Sequence, residues 1–103
     1  RGIEAAEAIA GLPEIDVLFL GPYDLSADLG QPGILDTPAF EDAIHQVKRA
    51  CFNNGKTIGI HQVEPNFSCL KKRLDEGFGF VAFGTDVQAI RHSLSGISEI
   101  FGD

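Results

Sequence analysis

The spacing of apolar residues changes several times along this chain, and each change marks an element. Ile3, Ala6 and Ile9 or Ala10 recur on one helical face, and Gly11-Leu12-Pro13 closes that segment. The next apolar residues, Val17-Leu18-Phe19-Leu20 after Asp16, do not alternate with polar ones. A short unbroken run between Pro13 and Gly21-Pro22 suits a strand buried on both faces, as in a parallel sheet. After the loop Gly21-Pro22-Tyr23-Asp24, a short helical turn is expected from Leu25 to Leu29, ended by Gly30, Pro32 and Gly33. Thr37-Pro38 reads as an N-cap followed by a first-turn proline, with Glu41 and Asp42 where the helix dipole favours negative charge. Phe40, Ala43, Ile44, Val47, Ala50 and Cys51 then form one apolar stripe that Gly55 ends.

The alternation continues to the C-terminus. Lys56 to Ile60 predicts a second strand. Glu64-Pro65-Asn66 opens a helix carrying Phe67, Leu70 and Leu74, which Gly77 closes, and Phe78 to Phe83 predicts a third strand. Gly84-Thr85-Asp86 starts a last helix whose apolar positions are Val87, Ile90, Leu94, Ile97 and Phe101. Every connection between strands carries a helix, so the strands run parallel with right-handed crossovers. Three strands by themselves leave two sheet edges free and one face thinly covered. The expected fold class is therefore α/β, as the C-terminal part of a parallel (β/α)8 TIM barrel spanning residues 1–103, with three strands and flanking helices.

Composition narrows the function classes. Of 103 residues, 44% are hydrophobic and 22% charged, a globular balance. No apolar run approaches the ~20 residues of a membrane span, and no basic amphipathic stretch suggests a membrane surface. Eight basic against 15 acidic residues give a net charge of −7. That charge repels phosphate backbones and argues against nucleic acid as a partner. Cys51 and Cys69 make neither a disulfide framework nor a metal spacing, and read as reduced thiols of a cytoplasmic protein. The chain begins at Arg1 and contains no Met, so a piece of a longer protein is expected.

Chemistry in parallel α/β folds sits at the carboxyl ends of the strands. Three segments fall there: Gly21 to Asp24, His61 to Glu64, and Gly84 to Asp86. In the first, Gly21 allows close backbone approach to a ligand, Pro22 stiffens the loop and Asp24 brings a carboxylate to the mouth. Asp24 reads either as an oxygen ligand for a hard divalent cation or as a helix cap at Leu25. His61 reads as a general base or as a solvated loop histidine. Tyr23 either offers its hydroxyl to a ligand or packs. Glu64 reads as a helix-start residue, Asp86 as a helix cap, His45 and His92 as surface positions, and Cys51 as an inert core thiol. No P-loop, G-x-G-x-x-G, G-x-S-x-G or H-E-x-x-H occurs.

The stretch from Asp16 to Gly30, reading D-V-L-F-L-G-P-Y-D-L-S-A-D-L-G, resembles the hallmark F-I-G-P-x-D-L-S-x-x-x-G of the HpcH/HpaI aldolase family. Gln31-Pro32-Gly33, the Thr37-Pro38 helix, Gly55-Lys56 leading into Gly59-Ile60, and Phe80 to Asp86 follow in the family's order. The resemblance implies a barrel of the phosphoenolpyruvate/pyruvate type. It also implies a metal-dependent aldolase that splits 4-hydroxy-2-oxo acids into pyruvate, or a close analogue, and an aldehyde. It makes Asp24 the metal ligand for Mg²⁺, Mn²⁺ or Co²⁺. It gives the oxo-acid carboxylate to the backbone N–H groups around Gly21 to Asp24, a corner in which Pro22 and Tyr23 border the substrate. Tyr23 stands where the family usually has a small residue, and His61 falls near the aldehyde pocket.

By the same resemblance, a second metal carboxylate falls just before Arg1. The catalytic His, its Asp partner and an enolate-stabilising Arg lie further upstream. The segment is thus expected to hold no catalytic residue and to be inactive alone, and a homo-oligomer (a hexamer with exchanged C-terminal helices) is expected. Three rivals are a citrate-lyase-like or malyl-CoA-lyase-like enzyme acting on CoA thioesters, a non-catalytic α/β regulatory module, and a gene-model remnant.

Overall fold

The computed structural model describes residues 1–102 as nine elements in the order α1 (Ala6–Ala10), β1 (Val17–Leu20), α2 (Pro22–Asp28), α3 (Pro38–Asn54), β2 (Thr57–Gln62), α4 (Phe67–Asp75), β3 (Phe80–Phe83), α5 (Asp86–Ser93) and α6 (Ile97–Ile100). The three strands form one parallel sheet in chain order. Val17 pairs with Thr57 and Leu20 with Ile60, while Gly59 pairs with Phe80 and Gln62 with Phe83. The expected parallel sheet with helical crossovers is what the chain forms.

One face of the sheet is covered by helix. All six residues of the expected α3 stripe are buried, and they close on Ala6, Ala10, Leu20, Ile58, Ile60 and Phe78. Local chemistry fixes the ends of α3. The Thr37 hydroxyl accepts the Phe40 N–H at 3.1 Å, and Gly55 ends the helix at φ 67°, a left-handed conformation that a Cβ disfavours. The opposite face is open. There Phe19 and Phe80 meet edge to face with ring centroids 5.8 Å apart across Gly59, and both remain about half exposed.

The C-terminal region departs from the sequence pattern. One continuous helix was expected from Asp86, but α5 stops at Ser93 and α6 starts at Ile97. Ser95 turns its hydroxyl back to the His92 carbonyl at 2.9 Å, and Gly96 weakens helix propagation. These two short helices leave Val87, Ile90, Leu94, Ile97, Ile100 and Phe101 exposed. The radius of gyration is 16.2 Å and the longest extent 55 Å, whereas a compact chain of this length is expected near ~13 Å. Among the described residues no helix is long and apolar enough to cross a membrane.

Candidate functional site

The corner after β1 is built by three residues. Gly21 is extended (φ −92°, ψ 101°) and precedes α2, Pro22 occupies the first helical position, and Asp24 lies in the first turn. The helix therefore begins three residues earlier than its apolar pattern indicates, and Asp24 is inside it rather than capping it at Leu25. Among the described residues no side chain caps α2. The Asp24 carboxylate instead folds back over Gly21, so that a Cβ at position 21 would lie 2.8 Å from Asp24 Oδ2. Glycine at 21 is what makes room for that carboxylate. The first intrahelical bond runs from the Leu25 N–H to the Gly21 carbonyl at 2.9 Å, leaving the Tyr23 and Asp24 N–H groups without intrahelical partners. Buried Ser26 secures the corner from below: its hydroxyl donates to the Tyr23 carbonyl at 2.7 Å and accepts the Gly33 N–H at 2.9 Å.

Two further segments close on this corner. β2 runs two residues further than its pattern predicts, so His61 belongs to the strand rather than to a solvated loop. The Gly59–Phe80 and Phe19–Gly59 pairings put His61 on the open, aromatic face. Its Nε2 lies 2.8 Å from the Gly84 carbonyl, which can only accept, so Nε2 carries the hydrogen and Nδ1 is left as the other ring nitrogen. The Tyr23 hydroxyl donates to Glu64 Oε1 at 3.0 Å. Partial burial, followed by the hydrogen bond and the negative charge of Glu64, pushes the Tyr23 phenol above its ordinary value.

Glu64 does not start a helix as expected: Asn66 caps α4, accepting from the Ser68 and Cys69 N–H groups. Buried Gln62 holds the loop that carries Glu64, donating to the Glu64 carbonyl at 3.3 Å and accepting from Arg73 Nε at 3.2 Å. Asp86 is likewise not the cap of its helix. Thr85 accepts the Gln88 N–H there, while Asp86 Oδ1 accepts the Val87 N–H. His45 and His92 are exposed, as their helical positions predict.

Gly21, Pro22, Tyr23, Asp24 and His61 all line one cavity of about 370 Å³, together with Phe19 and Val63. The sequence pattern named five of these seven residues. It did not single out Phe19 and Val63, whose apolar character alone reads as core, nor pair Glu64 with a tyrosine 41 positions away. A larger cleft, about 450 Å³, runs along the free edge of β1 and shares Asp24, but most of its lining is aliphatic. The smaller cavity is the better candidate, because polar groups from two strand ends converge on it.

Asp24 is the single carboxylate lining that cavity and takes part in no salt bridge among the described residues. Its oxygens suit a hard divalent cation, but among the described residues no group of three His, Cys, Asp or Glu side chains comes together. The donor set fits one ligand's share of such an ion. Cys51 is buried, with its thiol pushed up by burial, and plays no part in the site.

A family model described as HpcH/HpaI aldolase/citrate lyase matches residues 1–93. The chain belongs to the HpcH/HpaI aldolase/citrate lyase family. A hydroxypyruvate/pyruvate aldolase of Pseudomonas aeruginosa is 36% identical over 98 residues, which cover 91% of this chain and 34% of that protein. A 4-hydroxy-4-methyl-2-oxoglutarate aldolase of Chaetomium globosum is 45% identical over 64 residues, 62% of this chain and 24% of that protein. The crystal structure of an HpcH/HpaI family protein from Burkholderia cenocepacia superposes with a TM-score of 0.85 at 29% identity, covering 99% of this chain and 39% of that one. An HpcH/HpaI aldolase from Desulfitobacterium hafniense superposes at 0.87 with 23% identity and the same coverages, a likeness of fold. The chain therefore spans about a third of the curated relatives it matches. Its three-stranded sheet is part of the HpcH/HpaI barrel, and its open face is the one a complete barrel encloses.

Proposed function

We propose that the chain carries the oxo-acid corner of a carbon–carbon lyase that splits 4-hydroxy-2-oxo acids into pyruvate, or a close analogue, and an aldehyde. The supporting observation is the convergence of Gly21, Pro22, Tyr23, Asp24 and His61 on one cavity at the strand ends. Asp24 is the side chain that would hold a divalent cation, Mg²⁺, Mn²⁺ or Co²⁺. When bound, that ion supplies a Lewis acid at the oxo group. The free N–H groups of Tyr23 and Asp24 orient the substrate carboxylate, and Phe19 and Val63 keep water from the reacting carbon. In this reading the base that takes the 4-hydroxyl proton comes from outside this chain, while His61, whose Nε2 lies 2.8 Å from the Gly84 carbonyl, lines the cavity. In this reading the segment works within a longer polypeptide, is inactive alone, and covers the apolar stripe of α5 and α6 by self-association.

Pyruvate release from 4-hydroxy-2-oxo acids by the full-length polypeptide tests the reading. Asp24→Ala should abolish release while far-ultraviolet circular dichroism stays unchanged. Cleavage confined to CoA thioesters would move the reading to the citrate-lyase-like or malyl-CoA-lyase-like alternative. Full activity in Asp24→Ala would overturn the role of the corner.

A further inference from the structure

Beyond the corner that holds the oxo acid, the same cavity has a polar wall whose hydrogen-bonding sense is set. Resting on the reading above, we propose that His61, beside a Tyr23 tethered by Glu64, selects aldehydes carrying a hydroxyl next to the reacting carbonyl over alkyl aldehydes of the same size.

The Gly84 carbonyl, 2.8 Å from Nε2, takes the N–H at that ring nitrogen, and in this tautomer Nδ1 is an acceptor. The Tyr23 proton points at Glu64 Oε1, 3.0 Å away, so the phenol oxygen also has only acceptor capacity left for a ligand. Among the described residues no lysine or arginine lines the cavity. A wall of acceptors pairs with an O–H donor. It leaves a methyl group with nothing to bond. Phe19 and Val63 supply the apolar remainder of the lining, so the discrimination rests on the polar wall. Sites that hydrogen-bond a substrate hydroxyl reject the analogue lacking it more strongly than apolar pockets reject an extra methylene, because the site's own polar group is left unpaired.

The test uses the full-length polypeptide in the synthetic direction, with pyruvate and either glycolaldehyde or propanal, which differ by a hydroxyl in place of a methyl. The expected kcat/KM ratio favours glycolaldehyde by about tenfold or more. His61→Leu should lower that ratio about tenfold, chiefly through the KM for glycolaldehyde, and His61→Asn, which keeps an acceptor, should retain part of it. A second readout needs no turnover: the ¹⁵N resonance of His61 Nδ1 should move on adding glycolaldehyde and stay in place with propanal. An unchanged ratio in His61→Leu, or a resonance indifferent to both aldehydes, overturns the specificity proposal while leaving the lyase reading intact. Failure to release or consume pyruvate with any aldehyde removes the lyase reading, and this proposal falls with it.

Discussion

Gly59→Ala probes the packing that holds the site together. Gly59 lies in the central strand between Val17 and Phe19 on one side and Phe80 on the other. An added Cβ would lie 2.9 Å from Phe19 Cδ2, 2.9 Å from the Phe80 carbonyl oxygen and 3.2 Å from Val17 Cγ1. The carbonyl is backbone of the neighbouring strand and cannot rotate aside. Relief therefore has to come from shifting β3 or displacing the Phe19–Phe80 pair. Overpacking of this kind costs about 1–3 kcal/mol, offset by about 0.4–1 kcal/mol from the reduced freedom of the unfolded chain. A net loss of about 1–2 kcal/mol corresponds to a melting point lower by roughly 2–8 °C in a protein of barrel size. Gly79→Ala is the control. Its Cβ would meet only the Thr57 methyl group, at 2.8 Å, a side-chain atom of an exposed residue rather than backbone. It should change stability by no more than about 0.5 kcal/mol. The assay is thermal unfolding of the full-length polypeptide carrying each substitution. If Gly59→Ala melts at or above the parent temperature, or Gly79→Ala is the more damaging of the two, the packing argument for the open face is wrong.

Thr37→Ala removes the acceptor of the Phe40 N–H and should destabilise by about 1 kcal/mol, read by chemical denaturation, with Thr37→Ser largely restoring it. Thiol labelling at neutral pH should modify partly exposed Cys69 first, with Cys51 reacting only on unfolding, because burial raises its pKa and leaves it less thiolate. Tyr23 is the chain's one tyrosine, so the ultraviolet difference between parent and Tyr23→Phe isolates its titration. The midpoint should lie above that of a free tyrosine and fall in Glu64→Gln. Since the raised value favours the neutral phenol, its contribution to stability is present below the ordinary tyrosine pKa and is lost as pH rises through the folded value.

The sheet and its main helix were legible because their signals are local. Alternation of strand and helix patterns, the Thr37-Pro38 start and the Gly55 stop each act over a few residues, and the α3 stripe is buried in full. The corner was legible for the same reason, since Gly21 to Asp24 are contiguous. The position of Asp24 inside α2 was not, because Pro22 and Tyr23 carry no helical periodicity and the helix start is set by proline at its first position. His61 looked like a loop residue because polar residues end an apolar run, yet the parallel pairing with Ala82 continues the strand through it. The Tyr23–Glu64 bond joins the first turn of α2 to the loop after β2, which only the fold brings together, and no spacing rule could reveal it. The break between α5 and α6 falls at Ser95-Gly96, where backbone propensity overrode an apolar pattern that continued through it.

The carboxylate folded over Gly21 is the centre of the proposed site. Calorimetric titration of Mn²⁺ alone into the full-length polypeptide tests it most directly, comparing the parent with Asp24→Asn and with Asp28→Asn at the far end of the same helix. Binding at least about tenfold weaker in Asp24→Asn, with Asp28→Asn matching the parent, is the predicted result, since a hard cation loses an anionic oxygen only in the first. Equal Mn²⁺ affinity in the parent and Asp24→Asn would contradict it.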